Sequence, residues 1–355
     1  MKIIIYAICK NEARFAERFM ASCAGADGVY VLDTGSTAGT PELLRALGAA
    51  VFEQVIDPWR FDAARNASLD MLPEDTDVCI CLDLDEVLCP GWREALEAAW
   101  APGTPRARYT YVWSHTPDGG DGVVFFADKI HARHGYRWKH PVHEVLTPDR
   151  AESCITVPAL RVEHWPDSSK SRGQYLPLLE LSAAEDPDDD RNMHYLGREY
   201  MFHGRWGDAM ATLMRHLSMP TATWAAERAA SMRYIARCCD ALGDWRSAVH
   251  WLERAYTEAP GQREAPYELA KLYYRHEDWK NCKHWAAQTT YISKRDNNYM
   301  TDPEAWGPEP YDLMAISSWH LDRRGDALWA ATKAFALSPD DERLKNNLLF
   351  MAGVK

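Results

Sequence analysis

Asp83, Asp85 and Glu86 place three carboxylates within four residues, directly after the apolar run Val78-Cys79-Ile80-Cys81-Leu82. Hard oxygens clustered in this way, with no Lys close by in the sequence, suit a divalent cation such as Mg²⁺ or Mn²⁺, and such ions are commonly shared with substrate phosphates. The same residues would also serve an ordinary acidic turn, because Asp stabilises turns and caps helices and Pro90-Gly91-Trp92 opens a new segment just beyond. Their surroundings must decide.

The elements that would position these acids follow from periodicity. Short apolar runs at residues 3–8, 28–33, 48–54 and 78–84 read as strands, and residues 11–24, 41–47 and 63–72 read as helices between them. Alternation of this kind predicts a largely parallel sheet with helices on its faces. Lys10-Asn11-Glu12, Asp33-Thr34-Gly35-Ser36 and Asp83-Leu84-Asp85-Glu86 each terminate a strand, so parallel strands place all three at one sheet edge, where ligands of open α/β sheets bind.

These segments, together with Phe61-Asp62-Ala63-Ala64-Arg65-Asn66, resemble in order and spacing the family 2 glycosyltransferases of the GT-A fold. The resemblance covers about residues 1–165 and departs at Ala38, where relatives usually carry Asp, which leaves Asp33 as the nucleotide contact. It implies a metal-dependent inverting transfer of a sugar from a nucleotide donor, UDP-linked by expectation. Asp83 and Asp85 would contact ribose and a Mn²⁺ or Mg²⁺ ion, joined by His164. Asn11, Glu12, Asp33, Arg65 and Asn66 would bind the donor. Glu144 would be the base that takes the acceptor proton, Trp138 and His143 would lie on the acceptor side, and Lys170 and Arg172 would sit on a lid. The acceptor would be a saccharide, a glycolipid or a peptide.

Other readings compete. Asp83-Leu84-Asp85-Glu86-Val87-Leu88 also fits the pattern of haloacid-dehalogenase-type phosphatases, with Asp83 as nucleophile, although three strand-like segments precede it. His131, His134, His140 and His143 offer H-x-x-H spacings, but Gly135 and Pro141 interrupt the continuous helix a zinc site of the HExxH kind requires.

Beyond residue 190 the chain reads as helical. Gly204-Arg205-Trp206-Gly207-Asp208-Ala209 is echoed at Gly243-Asp244-Trp245, at Glu277-Asp278-Trp279 and, with the aromatic lost, at Gly325-Asp326-Ala327. This resembles tetratricopeptide repeats, paired helices with an aromatic and a small residue at fixed places. The expected organisation is therefore a GT-A-type catalytic domain over residues 1–166, a linker or lid over 167–190, and an all-α repeat domain over 191–355 that binds acceptor or forms a homodimer. A helical-repeat scaffold with an inactive sugar-nucleotide-binding domain is the reading from a different class.

Composition bounds these readings. A net charge of −12 argues against nucleic acid as the main partner. The irregular spacing of nine cysteines predicts free thiols rather than a disulfide framework, and no segment approaches a membrane span. A cytoplasmic location is expected.

Overall fold

Seven consecutive buried residues, Ile3–Cys9, form β1 and set the frame of the first unit. In the computed structural model, which describes residues 1–116, 119–167 and 173–353, the chain divides into two units, Met1–Ser182 and Ala183–Lys355. The first unit also contains β2 (Gly28–Asp33), β3 (Ala50–Glu53), β4 (Val78–Cys81), β5 (Glu86–Leu88), β6 (Arg106–Val112), β7 (Val124–Ala132), β8 (Tyr136–Lys139), β9 (Val145–Pro148) and β10 (Cys154–His164). Helices α1 (Ala13–Ser22), α2 (Thr40–Ala46), α3 (Phe61–Asp70) and α4 (Trp92–Ala99) alternate with the early strands.

An eight-stranded sheet has the order β3-β2-β1-β4-β7-β6-β10-β5. Its first four strands are parallel, as the alternating pattern predicts, and β7 then runs antiparallel between β4 and β6. Both faces of the sheet are covered, which explains why β1 is continuously apolar. Ile3, Ile5 and Ala7 join a core with Phe19 of α1 and Leu96 of α4, whereas Ile4 and Tyr6 pack with Leu69 of α3 and with Tyr136 and Trp138 of β8. Burying each such isoleucine contributes about 1.5–3 kcal/mol before conformational entropy is set against it.

Helix α5 (Tyr175–Glu185) occupies part of the segment expected to be a linker. The second unit is all helix: α6 (Asp190–Phe202) with α7 (Trp206–Ser218), α8 (Ala225–Ala241) with α9 (Trp245–Glu258), α10 (Glu264–Arg275) with α11 (Trp279–Tyr291), α12 (Glu309–His320) with α13 (Arg324–Leu337), and a final α14 (Glu342–Met351). Successive helices pack on one another, giving a tetratricopeptide-like array. Trp206, Trp245 and Trp279 each open the second helix of a pair, and the third residue after each (Ala209, Ala248, Cys282) is small and buried. A small side chain there lets neighbouring helix backbones approach.

The last pair shows a frame that sequence matching misplaced by three residues. Gly204, Gly243, Glu277 and Asp322 all have positive φ in the turn between paired helices. Asp322 is therefore the counterpart of Gly204, and Arg324, rather than Ala327, stands where the other pairs have Trp. Ala327 is instead the buried small residue.

Residues 292–308 connect the third and fourth pairs. The contacts found for them run across first helices of their own array. Met300 packs on Ala226 and Ala230 of α8, and Trp306 donates from Nε1 to Glu264 of α10 at 3.1 Å.

Candidate functional site

The carboxyl ends of β1, β2 and β4 share one sheet edge, and the loops beyond them are stitched together. Asp33 accepts from the backbone of Gly35 at 3.0 Å and of Ser36 at 2.8 Å, and from the Ser36 hydroxyl. Burial by itself would raise the Asp33 pKa, but the hydrogen bonds from Ser36 and Gly35 bring it below its ordinary value. Asn11, at φ 58°, accepts from the Thr37 amide at 2.8 Å, while the Glu12 amide donates to the Thr40 hydroxyl at 3.1 Å. Asn11, Glu12 and Asp33 are thus brought together, with much of their hydrogen-bonding capacity spent on the loops.

Arg65 projects from α3 to the end of β4 and is buried. Its Nη2 donates to Asp83 Oδ1 at 2.6 Å and its Nε to Glu144 Oε1 at 3.0 Å, while its guanidinium carbon lies 5.5 Å from the Trp138 ring centroid. Asn66, next on the helix, grips the β8 backbone at both ends of its amide: it donates to Trp138 O and accepts from Trp138 N, each at 2.9 Å. Trp138 itself is buried and donates from Nε1 to the Tyr6 hydroxyl at 3.1 Å. It belongs to the core beneath Arg65, away from any surface an acceptor would touch.

The acidic trio has three different environments. The segment from Asp83 to Glu86 is a closed turn, since the Glu86 amide donates to Asp83 O at 2.9 Å and the Asp83 amide donates to Glu86 Oε2 at 3.0 Å. Glu86 is buried and accepts from the Tyr111 hydroxyl at 2.7 Å and from Lys129 Nζ at 3.3 Å. Lys129 also lies 3.6 Å from Asp83 Oδ2. Burial opposes ionisation of Asp83, but the charges of Arg65 and Lys129 outweigh it and hold this carboxyl well below its ordinary range.

Asp85 stands apart. Its Oδ2 lies 3.5 Å from His164 Nε2, and His164 Nδ1 donates to Trp113 O at 3.0 Å. Burial pulls the His164 pKa down, yet the hydrogen bond and charge of Asp85 prevail and the net direction is upward.

A divalent ion at this edge would accordingly find Asp85 and His164 suitably placed, with the imidazole oriented through its other nitrogen as metal-binding histidines usually are. Asp83 does not complete the set: both of its oxygens face cations, and among the described residues these three do not converge as a three-ligand cluster. Lys129 was invisible to local sequence reading, coming from β7 rather than from the neighbourhood of the acids. His143 takes a positive φ of 50°, and its ring centroid lies 5.7 Å from that of Tyr175. Lys170 and Arg172 lie outside the described residues. His131, considered for zinc, is buried and engaged with the Tyr6 hydroxyl at 2.8 Å.

No family model matches the sequence, and no curated protein matches it. Among solved structures the chain is similar to MamA at 16% identity, over 47% of this chain and 89% of that one, with a TM-score of 0.38. It is similar to PilF of Pseudomonas aeruginosa at 14% identity, over 50% and 72%, with a TM-score of 0.38. YrrB, described as a TPR protein with an unusual peptide-binding site, matches at 13% identity over 49% and 81%, with a TM-score of 0.37.

These are repeat proteins and not glycosyltransferases, and the expectation of a metal-dependent inverting sugar transferase is corrected on that finding. Glu144, expected to act as the base, is ion-paired with a buried arginine, and Asp83 is neutralised by two cations. Among the described residues no helix is long and apolar enough to cross a membrane.

Proposed function

We propose that this chain is a helical-repeat scaffold that binds an extended protein segment, and that its sheet domain is a binding unit rather than a transferring one. One observation carries the first part: the array already holds an irregular length of its own chain, residues 292–308 with a 3-10 turn at Pro303–Trp306, through side-chain contacts to main chain. Arg263 donates to Ile292 O at 2.7 Å and to Ala305 O at 3.4 Å, Arg233 donates to Met300 O at 3.4 Å, and Glu264 accepts from the Asp302 amide at 2.9 Å. Contacts to carbonyls and amides do not depend on side-chain identity, and pockets between helices then select side chains.

For the sheet domain the ligand class is a nucleotide sugar, held at the edge formed by Asn11, Glu12 and Asp33. A Mn²⁺ or Mg²⁺ ion would be bound by Asp85 and His164 and would neutralise diphosphate charge. Support comes from the turn amides gathered by Asp33 and from the 3.5 Å separation of Asp85 and His164.

The test is a displayed-peptide selection on the full chain and on Met300→Asp, which weakens the seating of the internal segment. Selected peptides should bind Met300→Asp at least about tenfold more tightly than the parent, and the Arg233→Met/Arg263→Met pair should abolish binding. Peptides indifferent to all three substitutions would refute the groove. For the sheet unit, Mn²⁺ binding followed by electron paramagnetic resonance should be lost in His164→Gln.

A further inference from the structure

Where the first helix pair meets the second, three ligating side chains converge from three helix ends. Asp190 lies in the first turn of α6, His216 in the last turn of α7 and Glu227 in the first turn of α8. One ligand atom from each lies within 4.8 Å of the other two. His216 and Glu227 are buried, and His216 Nε2 is 3.4 Å from Glu227 Oε1 without forming a hydrogen bond to it or to any other group among the described residues.

The reason lies on the other side of the ring. Ser231 Oγ is 2.9 Å from His216 Nδ1 and 2.7 Å from His194 Nδ1. A serine hydroxyl has one proton to donate, so it serves one imidazole and accepts from the other. When that proton goes to His194, the arrangement the inferred ion requires, His216 carries hydrogen on Nδ1 and turns the Nε2 lone pair toward two carboxylates. Lone pair against carboxylate oxygen is repulsive in a buried site, and a cation between them removes the repulsion. The positive charge of Arg191 acts on Glu227 but supplies no bond to His216 Nε2.

From this geometry we infer that Asp190, His216 and Glu227 form a binding site for a divalent transition-metal ion, which clips α6, α7 and α8 together. Two carboxylates and one imidazole suit Zn²⁺ or a similar borderline ion, whose bonds of about 2.0–2.2 Å would span the 3.4 Å between His216 Nε2 and Glu227 Oε1. Ser231 and His194 form the outer support that fixes the orientation of His216. The two acids stand in first turns of their helices, where the helix dipole favours their negative charge before any ion arrives. The site lies wholly in the helical unit and is independent of the reading given above for the sheet edge.

The test uses the full-length chain carrying Asp85→Asn, which removes the sheet-edge ion site proposed above, freed of metal by EDTA and titrated with Co²⁺. One equivalent should bind with visible d–d bands and without the thiolate charge-transfer absorption that cysteine ligation would give. Binding should also raise the melting temperature. Adding Glu227→Gln should weaken Co²⁺ binding by at least about tenfold with helicity retained. Should Glu227→Gln fail to fold, Asp190→Asn, at a half-exposed position, must show the same loss. Absence of Co²⁺ binding to the Asp85→Asn chain, thiolate absorption in its spectrum, or binding undiminished by the further substitution would overturn the site.

Discussion

Arg65 and Glu144, 79 positions apart, are joined by a 3.0 Å hydrogen bond inside the sheet unit, and the same guanidinium holds Asp83 at 2.6 Å. A planar fork that serves two carboxylates in two directions is a use to which arginine is suited and lysine is not.

Arg65→Met would leave two carboxylates facing a buried methyl thioether. Breaking a buried pair from one side costs about 3–5 kcal/mol, and the partial hydration of Asp83, 36% exposed, puts the expected loss near the lower end. Arg65→Lys should recover only part of it. Urea denaturation followed by tryptophan fluorescence checks both, and a loss below about 0.5 kcal/mol in Arg65→Met would show that the network adds nothing to stability.

Glu268 makes the helical unit acid-sensitive. Burial opposes its ionisation, but Arg233 and Arg237, each 2.7 Å away, bring its pKa from 4.5 down to about 2. A carboxyl with a lowered folded-state pKa contributes stability that is fully present above the unfolded value and is lost as pH falls through the folded value. The contribution, at most about 3 kcal/mol, should disappear between about pH 4.5 and pH 2. Melting curves of the parent chain and of Glu268→Gln should converge across this window, and parallel curves would exclude the assignment.

Gly197 of α6 sits where an added Cβ would come within 2.5 Å of Leu213 Cγ on α7. Gly197→Ala should therefore destabilise the first helix pair by about 1–3 kcal/mol despite alanine's better helix propensity. Pairing it with Leu213→Ala should recover part of the loss in a double-mutant cycle; additive losses would mean the contact is not the cause.

Thiol chemistry offers a direct check on packing. Burial pushes the Cys23, Cys79 and Cys282 thiols up to about 12, and Cys89 and Cys154 are raised less, at half-buried positions. Native-state alkylation at pH 8 should spare the first three and mark Cys89 and Cys154 slowly, since the thiolate is the reactive form. Rapid labelling of Cys79 would mean that β4 is not in the sheet core.

Much of this architecture was legible because local patterns carried it. The β-branched runs of β1, β2 and β4 and the recurrent Trp206, Trp245 and Trp279 each report a nearby packing need. The ionic surroundings of Asp83 were not legible, because Lys129 arrives from a strand inserted antiparallel between β4 and β6, a long-range register that no local period encodes. The frame of the last pair was hidden for a related reason: positive φ is a backbone property, and Asp322 meets it without the glycine that marks Gly204 and Gly243. Asp190, His216 and Glu227 lie on three separate helices, so only the stacking of the array brings them together.

The segment 292–308 has a thermodynamic consequence for anything that binds the array. Being tethered at both ends, it presents itself to the helices at an effective concentration on the order of millimolar. A free peptide making the same contacts with equal intrinsic affinity would have to approach that concentration to displace half of it. On the scaffold reading proposed above, the array would work as a threshold device: only a partner with contacts beyond those of Met300 and Trp306, or one held nearby in high local amount, would gain entry.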